Sequence, residues 1–133
     1  MKPSNETLLA FYNQLGRVFY GIAVADAVVR KEEIEILNKI VKEKWLPLDN
    51  AEDDFHTDAA YQIEIAFDWL LNNELVEGDI LEEFEDFRTE HKSLFTPKVK
   101  KMILETVEGI ADSFHGTNKN EKAFIKSLKS IIA

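Results

Sequence analysis

The first residues whose types and spacing could support chemistry are Asp26 and Glu33, which flank a turn between two apolar stretches. Asp26 lies at the end of a predicted helix, where the helix dipole is negative and a carboxylate needs a compensating partner. It can cap the next helix or accept a turn N–H, and the spacing alone favours this alternative. Otherwise Asp26, Glu33 and turn carbonyls could bind Ca²⁺ or Mg²⁺, which prefer oxygen ligands. Arg30 and Lys31 are close enough in sequence to neutralise the two carboxylates without a metal.

A second turn repeats this pattern near the C-terminus, where Asp112 precedes Glu121 by nine residues. Glu121 also has a structural interpretation, because Asn118 and Glu121 have the spacing of a capping box at a helix start. His115 follows Asp112 by three residues and could face the same way, although a histidine in a turn is more often solvated than metal-bound.

Other sequence signatures of catalysis are missing. The chain has no cysteine, no EF-hand loop, no Glu-x-x-His pair, no phosphate-binding glycine-rich loop and no nucleophile elbow. We therefore expect no enzyme activity. A metal-dependent hydrolase or oxidase that uses pooled carboxylates is the remaining enzymatic alternative.

The elements that would position these carboxylates are all helical. Apolar residues recur at helical spacing, and no stretch alternates as a strand does. We predict one all-α domain over residues 1–133, a compact bundle of about six helices. The predicted helix starts are at Ser4 or Asn5, after the Asp26 turn, at Asp54 or Thr57, near 77–79, at Thr96–Pro97 and at Asn118. The predicted helix ends are at about Asp26, at Pro47, at Asn72–Asn73 and at 112–114.

The predicted helices also differ in how much of their surface is apolar. The first has so few charges that we expect it at the centre of the bundle, with Gly16 and Gly21 marking close helix crossings. The second presents Ile34, Leu37 and Trp45 on one face. The core positions expected for the last four are Ile63, Ala66, Phe67, Leu70 and Leu71; then Ile80, Phe84, Phe87, His91 and Leu94; then Val99, Met102, Ile103, Thr106, Ile110 and Ala111; and finally Phe124, Ile125, Leu128, Ile131 and Ile132.

Charge is distributed unevenly along the chain. The net charge is −9, yet residues 49–90 carry fifteen acidic residues and one basic residue, Arg88. Residues 1–48 and 91–133 have net charges of +1 and +4. An acidic middle repels nucleic acid and anionic lipid, so cations or basic protein surfaces are its expected partners, or it is a solvated face that aids solubility. With no predicted membrane span or signal peptide, we expect a cytoplasmic protein.

The two turns resemble those of the TerB-like domain of tellurite-resistance and stress-response proteins. The residues that carry the resemblance are Ala25-Asp26 with Glu32-Glu33-Ile34 and Leu37, and less clearly Ala111-Asp112 with Glu121 and Phe124. The resemblance implies an all-α bundle of two related helix–turn–helix halves and a role in stress or defence assemblies near the membrane. It also implies a divalent cation bound by Asp26, Glu33, Asp112 and Glu121.

Overall fold

Six α-helices, and no β-strand, make up the part of the chain that is described in a computed structural model, namely residues 4–25, 29–47, 59–73, 80–112 and 119–133. The helices are α1 (Asn5–Ala23), α2 (Lys31–Ile40), α3 (Gln62–Asn73), α4 (Ile80–Glu90), α5 (Pro97–Ala111) and α6 (Lys119–Ile132). The predicted all-α bundle of about six helices is confirmed. Within these ranges, no helix combines the length and apolarity needed to cross a lipid bilayer.

The first helix is the centre of the bundle, as its apolar sequence predicted. It packs against α3, α4, α5 and α6. Its start is confirmed by the Ser4 hydroxyl, which accepts a hydrogen bond of 3.1 Å from the Thr7 N–H. It ends at Ala23, three residues before the predicted end at Asp26. The side chains buried on its several sides are Phe11, Tyr12, Leu15, Val18, Phe19, Tyr20, Ile22 and Ala23.

Both glycines of α1 lie at close helix crossings, which confirms that prediction. A Cβ atom on Gly16 would lie 2.5 Å from the carbonyl oxygen of Ile63 and 2.7 Å from the Cβ of Ala66, both in α3. A Cβ on Gly21 would lie 2.9 Å from the ring of Phe124 in α6. The helix-weakening cost of glycine is therefore offset by close packing of α1 on two neighbours.

The second helix continues into a π-turn over Val41–Trp45, which the sequence did not predict. The Leu46 N–H donates to the Val41 carbonyl, the five-residue spacing of a π-turn. The wider turn keeps Val41 and Trp45, four residues apart, both buried against the core. Trp45 Nε1 then donates to Thr106 Oγ1 at 3.1 Å, and this hydroxyl donates to the Met102 carbonyl at 2.7 Å. The π-turn is thus linked to α5 by a hydrogen bond between residues that are 61 positions apart in sequence.

The fourth helix ends earlier than its apolar spacing predicted. It stops at Glu90, and a 3₁₀ turn over Lys92–Leu94 replaces the expected continuation through His91 and Leu94. The turn brings Phe95 inward, where its ring centroid lies 5.5 Å from that of Phe11 and 5.6 Å from that of Phe84. Edge-on contacts among these three rings stabilise the change of direction.

The fifth helix begins as predicted, with Thr96 Oγ1 accepting a 3.2 Å hydrogen bond from the Val99 N–H and with Pro97 in the first turn. It ends at Ala111, one residue before the predicted 112–114. The helix caps predicted at Asp54 or Thr57 and at Asn118 lie outside the described residues. Buried apolar side chains from all six helices form one core cluster.

Candidate functional site

The four carboxylates proposed as cation ligands fall in different environments. Asp26 lies outside the described residues. The N-cap residue of α2 is Arg30. The C-cap residue of α1 is Val24, two positions before Asp26, whereas the C-cap residue of α5 is Asp112 itself. The two aspartates therefore do not occupy equivalent positions relative to the ends of their helices.

Glu33 is a buried carboxylate in the first turn of α2. Only 3% of its surface is exposed, and its Oε1 accepts a 2.8 Å hydrogen bond from the backbone N–H of Arg30. The Glu33 N–H in turn donates to the Arg30 carbonyl at 3.0 Å. A carboxylate at a helix N-terminus is stabilised by the helix dipole and by free N–H groups. Glu33 thus has a structural role at the helix start.

Glu121 occupies the matching position in the second half of the molecule. It is the third residue of α6, as Glu33 is the third residue of α2, and it is likewise 3% exposed. The predicted contact between Glu121 and Asn118 falls outside the described residues. The structure therefore gives the two glutamates equivalent places, as buried side chains in otherwise exposed first turns of α2 and α6.

Asp112 is exposed and shares an open groove with lysines. Its N–H donates to the Glu108 carbonyl at 2.9 Å, and the groove between α5 and α6 is also lined by Lys122, Lys126 and Lys129. Glu108 and Lys129 approach to 3.8 Å across this groove. Three ammonium groups lower the affinity of this end of α5 for a cation. Across the described ranges, no three His, Asp or Glu side chains converge as a metal-binding group.

An apolar surface on α3 was missed by the sequence reasoning. Tyr61, Ile65 and Trp69 are 45%, 58% and 55% exposed, and they follow one another at intervals of four residues. Ile65 and Trp69 lie on the side of α3 opposite the buried Ile63 and Leu70, and Tyr61 continues the row from the 3₁₀ turn Ala59–Tyr61 directly before α3. We call these three residues the α3 stripe. The sequence pattern that could have revealed this surface is the presence of apolar residues on two faces of α3, because only one of these faces can pack on α1.

Carboxylates border the α3 stripe along one edge. Glu64 and Asp68 are three residues after Tyr61 and Ile65, respectively, and α3 contains no lysine or arginine. Burial, and secondly the negative charge of Asp68, raises the pKa of the Glu64 carboxyl above its ordinary value. This edge of α3 is therefore acidic, with no basic residue in the same helix.

The fourth helix carries the other described acidic face. Glu82, Glu83, Glu85 and Asp86 are exposed, as their positions predicted. Glu83 forms a 2.9 Å salt bridge with Arg17 of α1. Arg88, the one basic residue in 49–90, donates to the Ala133 carbonyl at 3.0 Å. Glu82, Glu85 and Asp86 thus remain as the acidic residues best placed to meet a partner.

Comparison of the chain with protein-family models, with curated proteins and with solved structures finds no match. The candidate sites therefore rest on the residues and their geometry.

Proposed function

We propose that this chain is a non-enzymatic, TerB-like helical module that acts by binding other proteins in stress-response or defence assemblies. Residues 49–90 form the binding surface in this proposal, and the partner presents basic residues to it. The observation that carries the proposal is the exposed acidic face of α4 within a segment of net charge −14. Complementary charge of this kind speeds association and selects partners.

The test compares the proteins retained by the immobilised chain from an extract of its own source cells. The variant Glu82→Gln/Glu85→Gln/Asp86→Asn removes three charges from α4 and keeps Glu83, whose salt bridge with Arg17 contributes to packing. We expect retention of a basic protein by the wild type, its release as salt is raised, and at least a tenfold loss in the variant.

A matched control removes the same number of charges elsewhere. Glu32, Glu43 and Glu105 are exposed and lie outside residues 49–90, so Glu32→Gln/Glu43→Gln/Glu105→Gln should retain the same protein as the wild type. Equal losses in both variants would show that only the net charge matters, and the proposed surface would be wrong.

A second candidate function, cation binding at the two turns, is favoured by the equivalent burial of Glu33 and Glu121. Here Asp26, Glu33, Asp112 and Glu121 would supply oxygen ligands to Ca²⁺ or Mg²⁺. Titration calorimetry with Ca²⁺, Mg²⁺, Mn²⁺ and Zn²⁺ tests this function. Saturable binding that disappears in Asp26→Asn/Asp112→Asn supports it, and an equal response in that variant rules out the site.

A further inference from the structure

The α3 stripe is a second surface feature of the acidic segment, distinct from the charged face of α4. Of the four large hydrophobic side chains exposed in the described part of the chain, three form this stripe, and the fourth is Leu9 of α1. Single exposed apolar residues are ordinary, but several in a row mark an interaction site. The stripe spans nine residues, from Tyr61 to Trp69, and is about 12 Å long at 1.5 Å per residue.

The side chains of the stripe suit a contact that buries them. Tryptophan and tyrosine contribute much of the binding energy at protein interfaces, because they combine large apolar area with few rotatable bonds. Ile65 lies between them at the same helical spacing. An exposed row of this kind matches two turns of a facing helix whose apolar residues recur every three or four positions.

The charges around the stripe select the partner. Glu64 and Asp68 border it, and α3 has no lysine or arginine. A second copy of this chain would bring the same two carboxylates to the interface. A lysine-rich or arginine-rich helix would instead neutralise them while its apolar face covers Trp69.

We propose that the α3 stripe binds a basic amphipathic helix of a partner protein, with Tyr61, Ile65 and Trp69 as the apolar anchors and Glu64 and Asp68 as the charged edge. This inference rests on the proposed function, since it takes the chain as an acidic binding module. It adds the partner's conformation and places its apolar contacts on α3.

The two tryptophans allow a direct test with the full chain. Trp45 is fully buried and Trp69 is exposed, so Trp45→Phe leaves Trp69 as the one fluorescent tryptophan. The probe is an 18-residue amphipathic helical peptide with leucine along one face and lysine elsewhere. One control peptide has glutamate in place of lysine, and the other has the lysine peptide's composition in scrambled order.

With the lysine peptide we expect a saturable blue shift of the Trp69 emission as its indole leaves water. Binding should be at least tenfold weaker with either control peptide. Ile65→Ser should weaken binding of the lysine peptide at least tenfold while leaving the reporter in place. Glu64→Gln/Asp68→Asn should weaken it severalfold and reduce its dependence on salt. Because these residues are exposed or half-buried, unchanged circular-dichroism melts show that the variants remain folded.

Three outcomes would overturn the inference: no shift with the lysine peptide, equal binding of the lysine and glutamate peptides, or sedimentation showing that the stripe is covered by a second copy.

The α4 variant Glu82→Gln/Glu85→Gln/Asp86→Asn separates this inference from the proposed function. If that variant retains its basic protein and the lysine peptide shifts Trp69, the face of α4 is not the binding surface, and the inference on α3 stands. If the variant loses its protein and the peptide gives no shift, the inference on α3 fails while the proposed function stands.

Discussion

The two tryptophans of the chain occupy opposite environments in the same bundle. Trp45 lies in the π-turn after α2, is fully buried, and donates its indole N–H to Thr106. Trp69 lies on the outer side of α3 with more than half of its surface exposed. A large aromatic side chain at helical spacing therefore identifies a helix without revealing whether that face packs on the protein itself. The first site stabilises the fold, and the second is available to a partner.

The largest expected contrast is between alanine variants of the two tryptophans. Trp45→Ala should lower the free energy of unfolding by about 3–5 kcal/mol, because it leaves a cavity and removes the hydrogen bond to Thr106. Trp69→Ala should change it by no more than about 0.5 kcal/mol, as exposed substitutions do. Urea denaturation of both variants measures the difference. Comparable losses would mean that Trp69 supports the fold, which would remove the argument that its face is free.

A smaller contrast is expected between the two glycines of α1. In Gly16→Ala the new methyl group would overlap the Ile63 carbonyl and Ala66, which costs about 1–3 kcal/mol. Alanine gains about 1 kcal/mol at an open helix position, so we expect a net loss of stability of up to about 2 kcal/mol.

The control for this change is Gly21→Ala, whose new methyl group would meet the half-buried ring of Phe124 rather than backbone. We expect a smaller loss there, since a side chain can move aside. Thermal and urea unfolding of both variants provide the measurement. A stabilised Gly16→Ala protein would contradict the close crossing of α1 and α3.

The smallest expected effect concerns Glu64 at the acidic edge of α3. Its raised pKa means that the folded chain holds this proton more tightly than the unfolded chain. The free energy of unfolding should therefore fall as pH rises from the ordinary value of 4.5 through the raised value. Glu64→Gln should then stabilise the protein slightly at pH 7 and make no difference below pH 4.5.

Asp68→Asn is the companion variant, because Asp68 is the lesser cause of the shift after burial. It should recover only part of the stabilisation given by Glu64→Gln at pH 7. Urea denaturation across the pH range measures both variants. A stability gain for Glu64→Gln that is as large at pH 4 as at pH 7 would show that the charge is not its cause.

Local patterns predicted much of the fold. The cap at Ser4, the Thr96–Pro97 start and the central position of α1 depend on residues near one another in sequence, and all three were predicted correctly. The π-turn at Val41–Trp45 was not, because the indole of Trp45 in this turn hydrogen-bonds to Thr106 of a distant helix. The early end of α4 likewise accompanies the packing of Phe95 on Phe11.

The candidate sites were less predictable than the fold. Spacing identified Glu33 and Glu121 but could not show that both carboxylates would be buried. It also could not show that lysines of α6 would share the groove of Asp112. The core face of α3 was predicted correctly, since Ile63, Ala66, Phe67 and Leu70 are buried. The α3 stripe escaped notice because the apolar residues on the opposite face were not considered.

The central position of α1 has a consequence for how the chain acquires its structure. Among the described helices α1 is the first to be synthesised, yet Gly21 packs against Phe124 of α6, the farthest of them along the chain. The side of a nascent α1 that Phe124 covers must therefore stay open to water until α6 has emerged from the ribosome. Such long-range closure slows folding and exposes the early segment to aggregation. We therefore expect the complete bundle to form only after α6 has been synthesised.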